Sequence, residues 1–324
     1  KGYQITVTDA NLVLGRMLPD NFLGGRMTLD RQRAERLIAE LASEISLSAE
    51  ETALGVIRVV NANMARAIRA ISQERGYDPR QFTLVPFGGA GPMHCCELAR
   101  EMGIPRVLVP ARPGILSALG VAIADIVKDY SRTVMMRGDD INRTQLDEEF
   151  HGMEGLAREE LEKEGLPMDR MAPQRFLDVR YVGQSFELTI DYPSPTRTID
   201  TARMRRSIAD SFYRAHLQRF GYADRGEAVE IVNLRLKLGL ELEKPQIVMG
   251  QASASDSTSA LMGEAEVVFM GGPVTTRLYD REKLGAGSQV SGPAIVLQMD
   301  TTVVITPGWT GTVDDYGNLV LETE

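Results

Sequence analysis

A cluster of glycines at residues 88–91 is the part of this sequence best suited to bind a ligand. It follows an apolar run at 82–87 and precedes a helical pattern that begins at Met93. Because glycine has no Cβ, the backbone can approach a ligand closely, and the first turn of the next helix offers free N–H groups. The spacing is neither GxGxxG nor GxxxxGK[ST], so it fits a nucleotide site and a ligand-free tight turn equally well.

A second small-residue segment favours the nucleotide interpretation. Residues 113–122 read Pro-Gly-Ile-Leu-Ser-Ala-Leu-Gly-Val-Ala and follow the glycine cluster after one helix and one strand. Small side chains at this distance let a helix press against a cleft. The hydroxyl of Ser117 is expected to cap or pack rather than act as a nucleophile.

The remaining reactive side chains give weaker signals. His94 lies two residues beyond the glycine cluster, where it either faces a ligand or packs at the helix start, and no partner carboxylate identifies it as a general base. His151 and His216 share no metal-ligand spacing with it, and no metal site is predicted. Cys95 and Cys96 are adjacent, so they cannot form an ordinary disulfide and are expected to be buried packing residues. The catalytic residues are therefore unknown, with His94 the one candidate.

Alternating helices and strands must position the glycine segment. A Ser-x-x-Glu capping box at Ser48 opens a long amphipathic helix that runs towards Gly76. The elements expected after it are a strand at 82–87, a helix at 93–102, a strand at 106–109 and a helix from 116 to about 128. This order is typical of a parallel or mixed α/β sheet.

The pattern changes after residue 135. A charged helix is expected at 144–164, strands at 176–190 and 229–242, a helix at 201–220, and a polar linker at 251–261 before short strands to the end. We therefore expect three regions, 1–135, 136–250 and 262–324, with the last two packed together as one domain.

Composition excludes several functional classes. The 324 residues carry a formal net charge of −9 and no Lys/Arg cluster, which disfavours nucleic-acid binding. No apolar run approaches the roughly 18 residues of a membrane span, and the first residues lack a signal-peptide pattern. We expect a cytoplasmic protein without membrane contact. Because the sequence opens inside a regular pattern with no initiator Met, an upstream portion is also expected.

Longer stretches of the sequence resemble a known protein family. The glycine segment and the 113–122 helix are similar to the adenosine side of the actin-like ATPase fold. The strings VTDANLVLGR, FLGGRM, ERGYDPRQF, FGGAGPMH and PGILSALGVAIAD together resemble hydantoinase A, the family of 5-oxoprolinase and of ketone carboxylase nucleotide-binding subunits. The strings VRYVGQSFEL, FGYADRGEAVEIVNLR, YDREKLGAG, GPAIVLQMDTTVVITPGW and DDYGNLVLE are similar to its C-terminal domain, so the resemblance covers nearly the whole chain.

The resemblance implies an α/β fold in which one subdomain of an actin-like ATPase precedes an α+β, β-rich C-terminal domain. It implies ATP and Mg²⁺ as cofactors, with the phosphate and metal ligands outside this chain, because the family's Asp-x-Gly-Gly-Thr loops are absent from residues 1–324. The residues it assigns to the adenosine are Gly88, Gly89, Ala90, Gly91 and Pro92, flanked by Asn61, Met64 and Arg69.

The function implied is the ATP-dependent opening of a five-membered cyclic amide, such as hydantoin or 5-oxoproline. The partners would be the absent N-terminal half and a companion hydantoinase B-type subunit, and this chain alone would be inactive. A ketone carboxylase subunit, which also activates its substrate by phosphoryl transfer from ATP, is an open alternative. A non-catalytic nucleotide-binding or assembly module is another, which degenerate phosphate loops upstream would favour.

Overall fold

Two groups of elements make up the chain in the computed structural model, which describes residues 4–167, 170–193, 200–244 and 257–323. The first unit comprises residues 1–73, 77–122 and 246–324, and the second comprises residues 74–76 and 123–245. Both units contain helices and strands, which confirms the expected mixed α/β class.

Helices and strands alternate over the first part of the chain, and strands dominate its end. The helices are α1 (Val7–Val13), α2 (Arg31–Ile45), α3 (Ala49–Ile71), α4 (Gly91–Met102), α5 (Leu116–Ile123), α6 (Arg143–Lys163) and α7 (Thr201–Phe220). The strands are β1 (Thr83–Leu84), β2 (Arg106–Val109), β3 (Ile126–Arg137), β4 (Met171–Tyr181), β5 (Leu188–Asp191), β6 (Val229–Leu240), β7 (Leu261–Phe269), β8 (Gly272–Asp280), β9 (Gln289–Ser291), β10 (Ala294–Leu297), β11 (Thr302–Ile305), β12 (Trp309–Val313) and β13 (Leu319–Thr323).

Local signals in the sequence fix the ends of the helices near the glycine segment. Ser48 and Glu51 form the expected capping box at the start of α3, and each side chain binds the other residue's backbone N–H. Gly103, with φ of 68°, ends α4 in the left-handed conformation that glycine adopts without strain. Helices α3 and α4 therefore begin and end close to where the sequence predicts.

The first unit contains two mixed sheets. One has the order β1-β2-β13-β12-β9, in which β1 runs parallel to β2 and β13 runs antiparallel to it. The other has the order β11-β10-β8-β7. Trp309 and Leu321, both fully buried, share a core with Cys96 of α4. The last strand of the chain is thus part of the sheet that carries the glycine segment.

In its described residues, the second unit contains one antiparallel sheet and two helices. Its strand order is β3-β6-β4-β5, and Phe150 of α6, Phe212 of α7 and Leu234 of β6 are fully buried in one core. Apolar residues alternate along β4 and β6, as expected for strands that bury one face.

Polar residues on these strands pair with one another. Arg180 lies 2.7 Å from the fully buried Glu230, and Asn233 and Arg235 donate to the fully buried Asp178. Since a buried carboxylate needs charged or hydrogen-bonded partners, these side chains serve the sheet itself.

The structure corrects three sequence expectations. Residues 262–324 are grouped with the first unit rather than with 136–250, because β13 bonds β2 and the strands from β7 onwards belong to the first unit. The helix expected to reach residue 128 ends at Ile123, and the alternating residues from Ile126 form β3 instead. The strand expected at 82–87 is only two residues long, since Pro86 has no N–H to donate.

Two smaller differences concern the later segments. The strand expected at 176–190 is divided into β4 and β5 around Gly183, whose φ is 88°. Most of the linker expected at 251–261 lies outside the described residues, but Ala260 is buried and Leu261 already begins β7.

Among the helices that the structure describes, none combines the length and apolar character needed to cross a membrane.

The role of the last strand is testable. Leu321→Ala should lower the free energy of unfolding by about 2–4 kcal/mol, because it leaves a cavity in the core beneath β13. Hydrogen exchange should then quicken in β2 and β12 but not in β4 and β6. Leu177→Ala is a matched truncation in the core of the second unit, and it should quicken exchange in β4 and β6 but not in β2 and β12. Faster exchange of β4 in the Leu321 variant would contradict the strand assignment.

Candidate functional site

The glycine segment lies between β1 and α4, held by bonds to its backbone. Gly88 adopts a φ of 79°, and its N–H donates to Pro113 O at 2.8 Å. The hydroxyl of Thr301 lies 3.1 Å from Gly89 O and 3.3 Å from Gly88 O. No described atom would lie within 4 Å of a Cβ built on Gly88, so this backbone has open space beside it.

Helix α4 begins directly after this turn. Ala90 is its N-cap residue, and no side chain of the described residues caps the helix there. Pro92 occupies the first turn, where its lack of an N–H costs nothing. Because Pro92 has no N–H and Met93 N donates to Ala90 O at 3.0 Å, the first turn of α4 offers at most the Gly91 N–H beside the glycine turn.

A cavity of about 270 Å³ borders the glycine segment within the first unit. Gly89 and Ala90 form one wall, a second wall comes from residues 17–23, and a third comes from residues 297–302. Of the five residues predicted for the adenosine side, Gly89 and Ala90 line this cavity, whereas Gly88, Gly91 and Pro92 are not among its described lining residues. Sequence reasoning misses the third wall, because the polar residues at 298–302 look like a simple turn between two apolar strands.

Asn61 and His94 belong to a buried network instead. His94 Nδ1 lies 2.9 Å from Asn61 Oδ1, and Asn61 donates to Glu97 Oε2 at 2.8 Å. Glu97 also pairs with Arg16 at 2.9 Å, and Arg16 donates through Nε to Val268 O. Asn61 is 6% exposed and His94 only 3% exposed, so both side chains are enclosed by protein, and their contact with a nucleotide stays a prediction.

Burial lowers the pKa of His94. Desolvation is the largest influence and lowers the pKa of the imidazole, although the nearby carboxylate of Glu97 works in the opposite direction. Because Asn61 Oδ1 only accepts, the contact with His94 requires the tautomer in which Nδ1–H donates. The role supported by these contacts is to join α3 to α4.

The other two flanking residues also have partners away from the cavity. Met64 packs against the core that contains Ala65, and Arg69 pairs with Glu101 at 3.3 Å on the surface. Among the described cavity-lining residues, none of Asn61, Met64, Arg69 and His94 occurs. Contact of Met64 or Arg69 with a nucleotide stays a prediction.

The cysteines and His216 make contacts within the protein, and His151 lies at the surface. Cys95 and Cys96 are buried and free, which confirms the packing role, and the hydrogen bond with Cys96 together with burial raises the pKa of the Cys95 thiol. His216 bonds Tyr222 O at 2.8 Å, and His151 is exposed. Among the described residues, no cluster of His, Cys, Asp or Glu could hold a metal ion.

The glycine turn and the helix start beside the cavity form the candidate site of this α/β protein. Two family models match it: one described as Hydantoinase/oxoprolinase covers residues 1–130, and one described as its C-terminal domain covers residues 138–323. The chain belongs to the hydantoinase/oxoprolinase family, which confirms the resemblance seen in the sequence.

Relatives from distant organisms share this similarity. The chain is 38% identical over 319 residues to an uncharacterized protein of Methanocaldococcus jannaschii, covering 98% of this chain and 44% of that protein. It is 31% identical to caprolactamase subunit alpha of Pseudomonas jessenii, covering 97% of this chain and 45% of the subunit. The chain therefore spans less than half the length of these relatives.

Solved structures agree with the sequence relatives. The ATP-dependent caprolactamase of Pseudomonas jessenii matches with a TM-score of 0.84 at 31% identity, covering 98% of this chain and 46% of that one. Nucleotide-free acetone carboxylase matches with a TM-score of 0.73 at 26% identity and the same coverage. The described fold is thus shared with enzymes whose names state that they depend on ATP.

The buried network offers a test of its structural role. Arg16→Met should lower the free energy of unfolding by about 3 kcal/mol, because Glu97 would lose its partner in a mostly buried site. Arg31→Met, which breaks the exposed pair with Glu35, should cost less than about 1 kcal/mol. Urea unfolding measures both, and equal losses would refute the network's contribution.

Proposed function

We propose that this chain supplies one wall of an ATP-binding cleft in an ATP-dependent cyclic-amide hydrolase. The observation that carries the proposal is the glycine turn of residues 88–90, which borders an open cavity and leads into the uncapped start of α4. Such a turn allows the flat, uncharged part of a nucleotide to lie against the backbone. In this proposal the first unit, up to the end of α5, is a subdomain of an actin-like ATPase.

The chain's own residues would bind and orient the nucleotide. Gly89 and Ala90 would contact the adenosine, and Thr301 would hold the turn through the Gly88 and Gly89 carbonyls. ATP would supply the phosphoryl group that turns a poor amide electrophile into a reactive one. We place the phosphate and Mg²⁺ ligands outside residues 1–324, because the sequence contains no Asp-x-Gly-Gly-Thr loop.

The relatives support the choice of reaction in this proposal. The name caprolactamase denotes an enzyme that opens a cyclic amide. Its structure matches this chain with a TM-score of 0.84, against 0.73 for acetone carboxylase. The acetone carboxylase likeness supports a second candidate, a ketone carboxylase subunit. In either case we propose that the chain works with a further polypeptide segment and a companion hydantoinase B-type subunit.

The experiment is an ATP-hydrolysis screen of the full-length parent protein, with and without the companion subunit. We expect phosphate release stimulated by hydantoin, 5-oxoproline or another cyclic amide. Stimulation by ketone plus bicarbonate alone would favour the carboxylase candidate. No stimulation by either, with nucleotide still bound, would favour a non-catalytic module.

The isolated 324-residue chain should fold and hydrolyse no ATP. Each charged hydrogen bond to phosphate contributes about 1.5–3 kcal/mol, and a millimolar complex is worth only about 4 kcal/mol. Adenosine contacts alone should therefore give a Kd near or above a millimolar. Calorimetry measures both affinities. A micromolar Kd for ATP, much lower than the Kd for adenosine, would place a phosphate site within these residues and overturn the half-cleft proposal.

Gly89→Val should weaken nucleotide binding to the full-length parent more than it weakens folding. A Cβ at Gly89 would meet Asp300 O at an ordinary 3.5 Å, so the turn tolerates it, whereas the branched methyl groups would fill ligand space. Gly88→Ala is the matched control, since its φ of 79° should cost stability, about 1–2 kcal/mol. Nucleotide titration and thermal melting distinguish the two, and equal loss in both assays for Gly89→Val would mean that this glycine serves only the turn.

A further inference from the structure

The outer faces of α6 and α7 carry opposite charges. Both helices bury one side in the core of the second unit, through Phe150 on α6 and Phe212 on α7, and expose the other side. Helix α7 contains five arginines and one acidic residue, whereas α6 contains seven acidic residues and three basic ones. The second unit therefore presents a basic helix and an acidic helix on the same side of its sheet.

The basic stripe follows the outer face of α7. Arg203, Asp210 and Arg214 recur at intervals of seven and four residues, so they lie along one side of a helix with 3.6 residues per turn. The side chain of Arg203 is 71% exposed. An open groove of about 790 Å³ lies beside the stripe, and the residues lining it are Arg203, Arg206, Ser207, Asp210, Arg214 and Arg225.

Two of these arginines bond only to uncharged oxygens of their own helix. Arg206 donates to Ala202 O at 3.3 Å, and Arg214 donates to Ser211 Oγ at 3.1 Å and to Asp210 O at 3.4 Å. Within the part of the chain that the structure describes, neither pairs with a carboxylate. Because a guanidinium group binds carboxylates through two parallel hydrogen bonds, both side chains can receive acidic groups from another molecule.

The acidic stripe follows the outer face of α6. Glu148, Gly152, Gly155 and Glu159 recur at intervals of four, three and four residues, and all four are exposed. The two glutamates have no ion pair with any described residue. A Cβ built on Gly155 would meet no described atom within 4 Å, so no contact in the second unit requires glycine there. Glycine destabilises a helix interior but lets another backbone approach closely, and this stripe therefore suits a second helix.

The two stripes match in length and in direction. Glu148 and Glu159 are eleven residues apart, as are Arg203 and Arg214, which is about 16.5 Å along a helix in each case. Helix α6 connects β3 to β4 and α7 connects β5 to β6, and since β4 runs antiparallel to β5 and β6, the two helices run in opposite directions. A twofold axis parallel to the helices would place α6 of one copy antiparallel on α7 of the other.

This arrangement pairs opposite charges without a clash. Where Arg203 meets Glu159 and Arg214 meets Glu148, the one acidic residue of the basic stripe, Asp210, lies opposite Gly152. The same rotation forms the contact twice, as in any twofold interface. Two helices about 30 Å long and about 10 Å wide cover about 600 Å² on each copy, so the total of about 1,200 Å² reaches the lower end of specific interfaces.

We propose that two copies of this chain associate about a twofold axis, with α6 of each copy packed on α7 of the other. A second copy is the occupant because the chain itself supplies a stripe of complementary charge, equal length and opposite direction. The net charge of −9 on each chain opposes association, but at 0.1 M salt repulsion beyond about 10 Å is largely screened. The proposal does not rest on the proposed reaction, because every residue it uses belongs to the second unit.

The test is sedimentation velocity of the 324-residue chain in 0.1 M salt, from about 1 to 500 μM. The modest area predicts a reversible dimer with a Kd of about 1–100 μM. Two double variants reverse one stripe each: Glu148→Arg with Glu159→Arg, and Arg203→Glu with Arg214→Glu. Each should raise the Kd at least tenfold, because like charges then face each other.

Mixing the two double variants is the decisive experiment. In the mixed dimer each reversed stripe meets a stripe of opposite charge, so the Kd should return to within about threefold of the wild-type value. Glu40→Arg with Glu44→Arg, on the exposed face of α2, makes the same change in net charge. This control should dimerise as the wild type does, and it should not rescue the Arg203 and Arg214 variant.

A size change tests the close approach of the helices. Gly155→Gln should leave the melting temperature unchanged or raise it, since glutamine favours a helix, and should raise the Kd about tenfold. An unchanged Kd contradicts the packing of α7 on this stripe.

The wild-type measurement keeps the proposal testable even where a variant fails to fold. A wild-type chain that stays monomeric up to 500 μM overturns the proposal, and the two stripes would then await a different partner. A dimer that neither reversal weakens, or a mixture that shows no recovery, places the contact on another surface and overturns it as well.

Discussion

Backbone hydrogen bonds between β2 and β13 are the constraint on which the rest of the first unit depends. They join Arg106–Val109 to Leu319–Glu322, more than two hundred residues further along the chain. The cost of closing such a long loop grows only slowly with its length, so sheet pairing can offset it. Because β1 and the glycine turn lie on the other side of β2, the chain's last strand completes the sheet that holds the candidate site.

The Arg16, Glu97, Asn61 and His94 network adds a second, polar constraint behind that site. Buried ionic groups are weak evidence for stability in themselves, because desolvation offsets much of the attraction. Their geometry is nevertheless restrictive, since each partner must sit within hydrogen-bonding distance of the next. The network ties α3, α4 and the segment after α1 into one arrangement. The start of α4, and with it the glycine turn, is held from inside the protein.

Sequence reasoning locates the helices and the glycine turn well, because caps, glycine stops and apolar periodicity are local signals. It anticipates the cap at Ser48, the end of α4 at residue 102 and the whole of α7 for this reason. It misses the β13–β2 pairing and the contact of Thr301 with the glycine turn, which depend on residues far apart in the chain. It places Asn61 beside the nucleotide and leaves the orientation of His94 open, since spacing alone does not reveal which face of a helix is buried. The polar interruption at 298–302 is the one available signal for the third wall.

The burial of Trp309 has a practical consequence for anyone who studies this protein in solution. It is the single tryptophan of the sequence, fully buried in the core beneath β13, and residues 123–245 contain none. Fluorescence excited at the red edge of aromatic absorption therefore reports on the first unit alone. Far-ultraviolet circular dichroism, by contrast, averages over the helices of both units. A difference between the two melting curves would measure directly how far the units unfold as independent bodies.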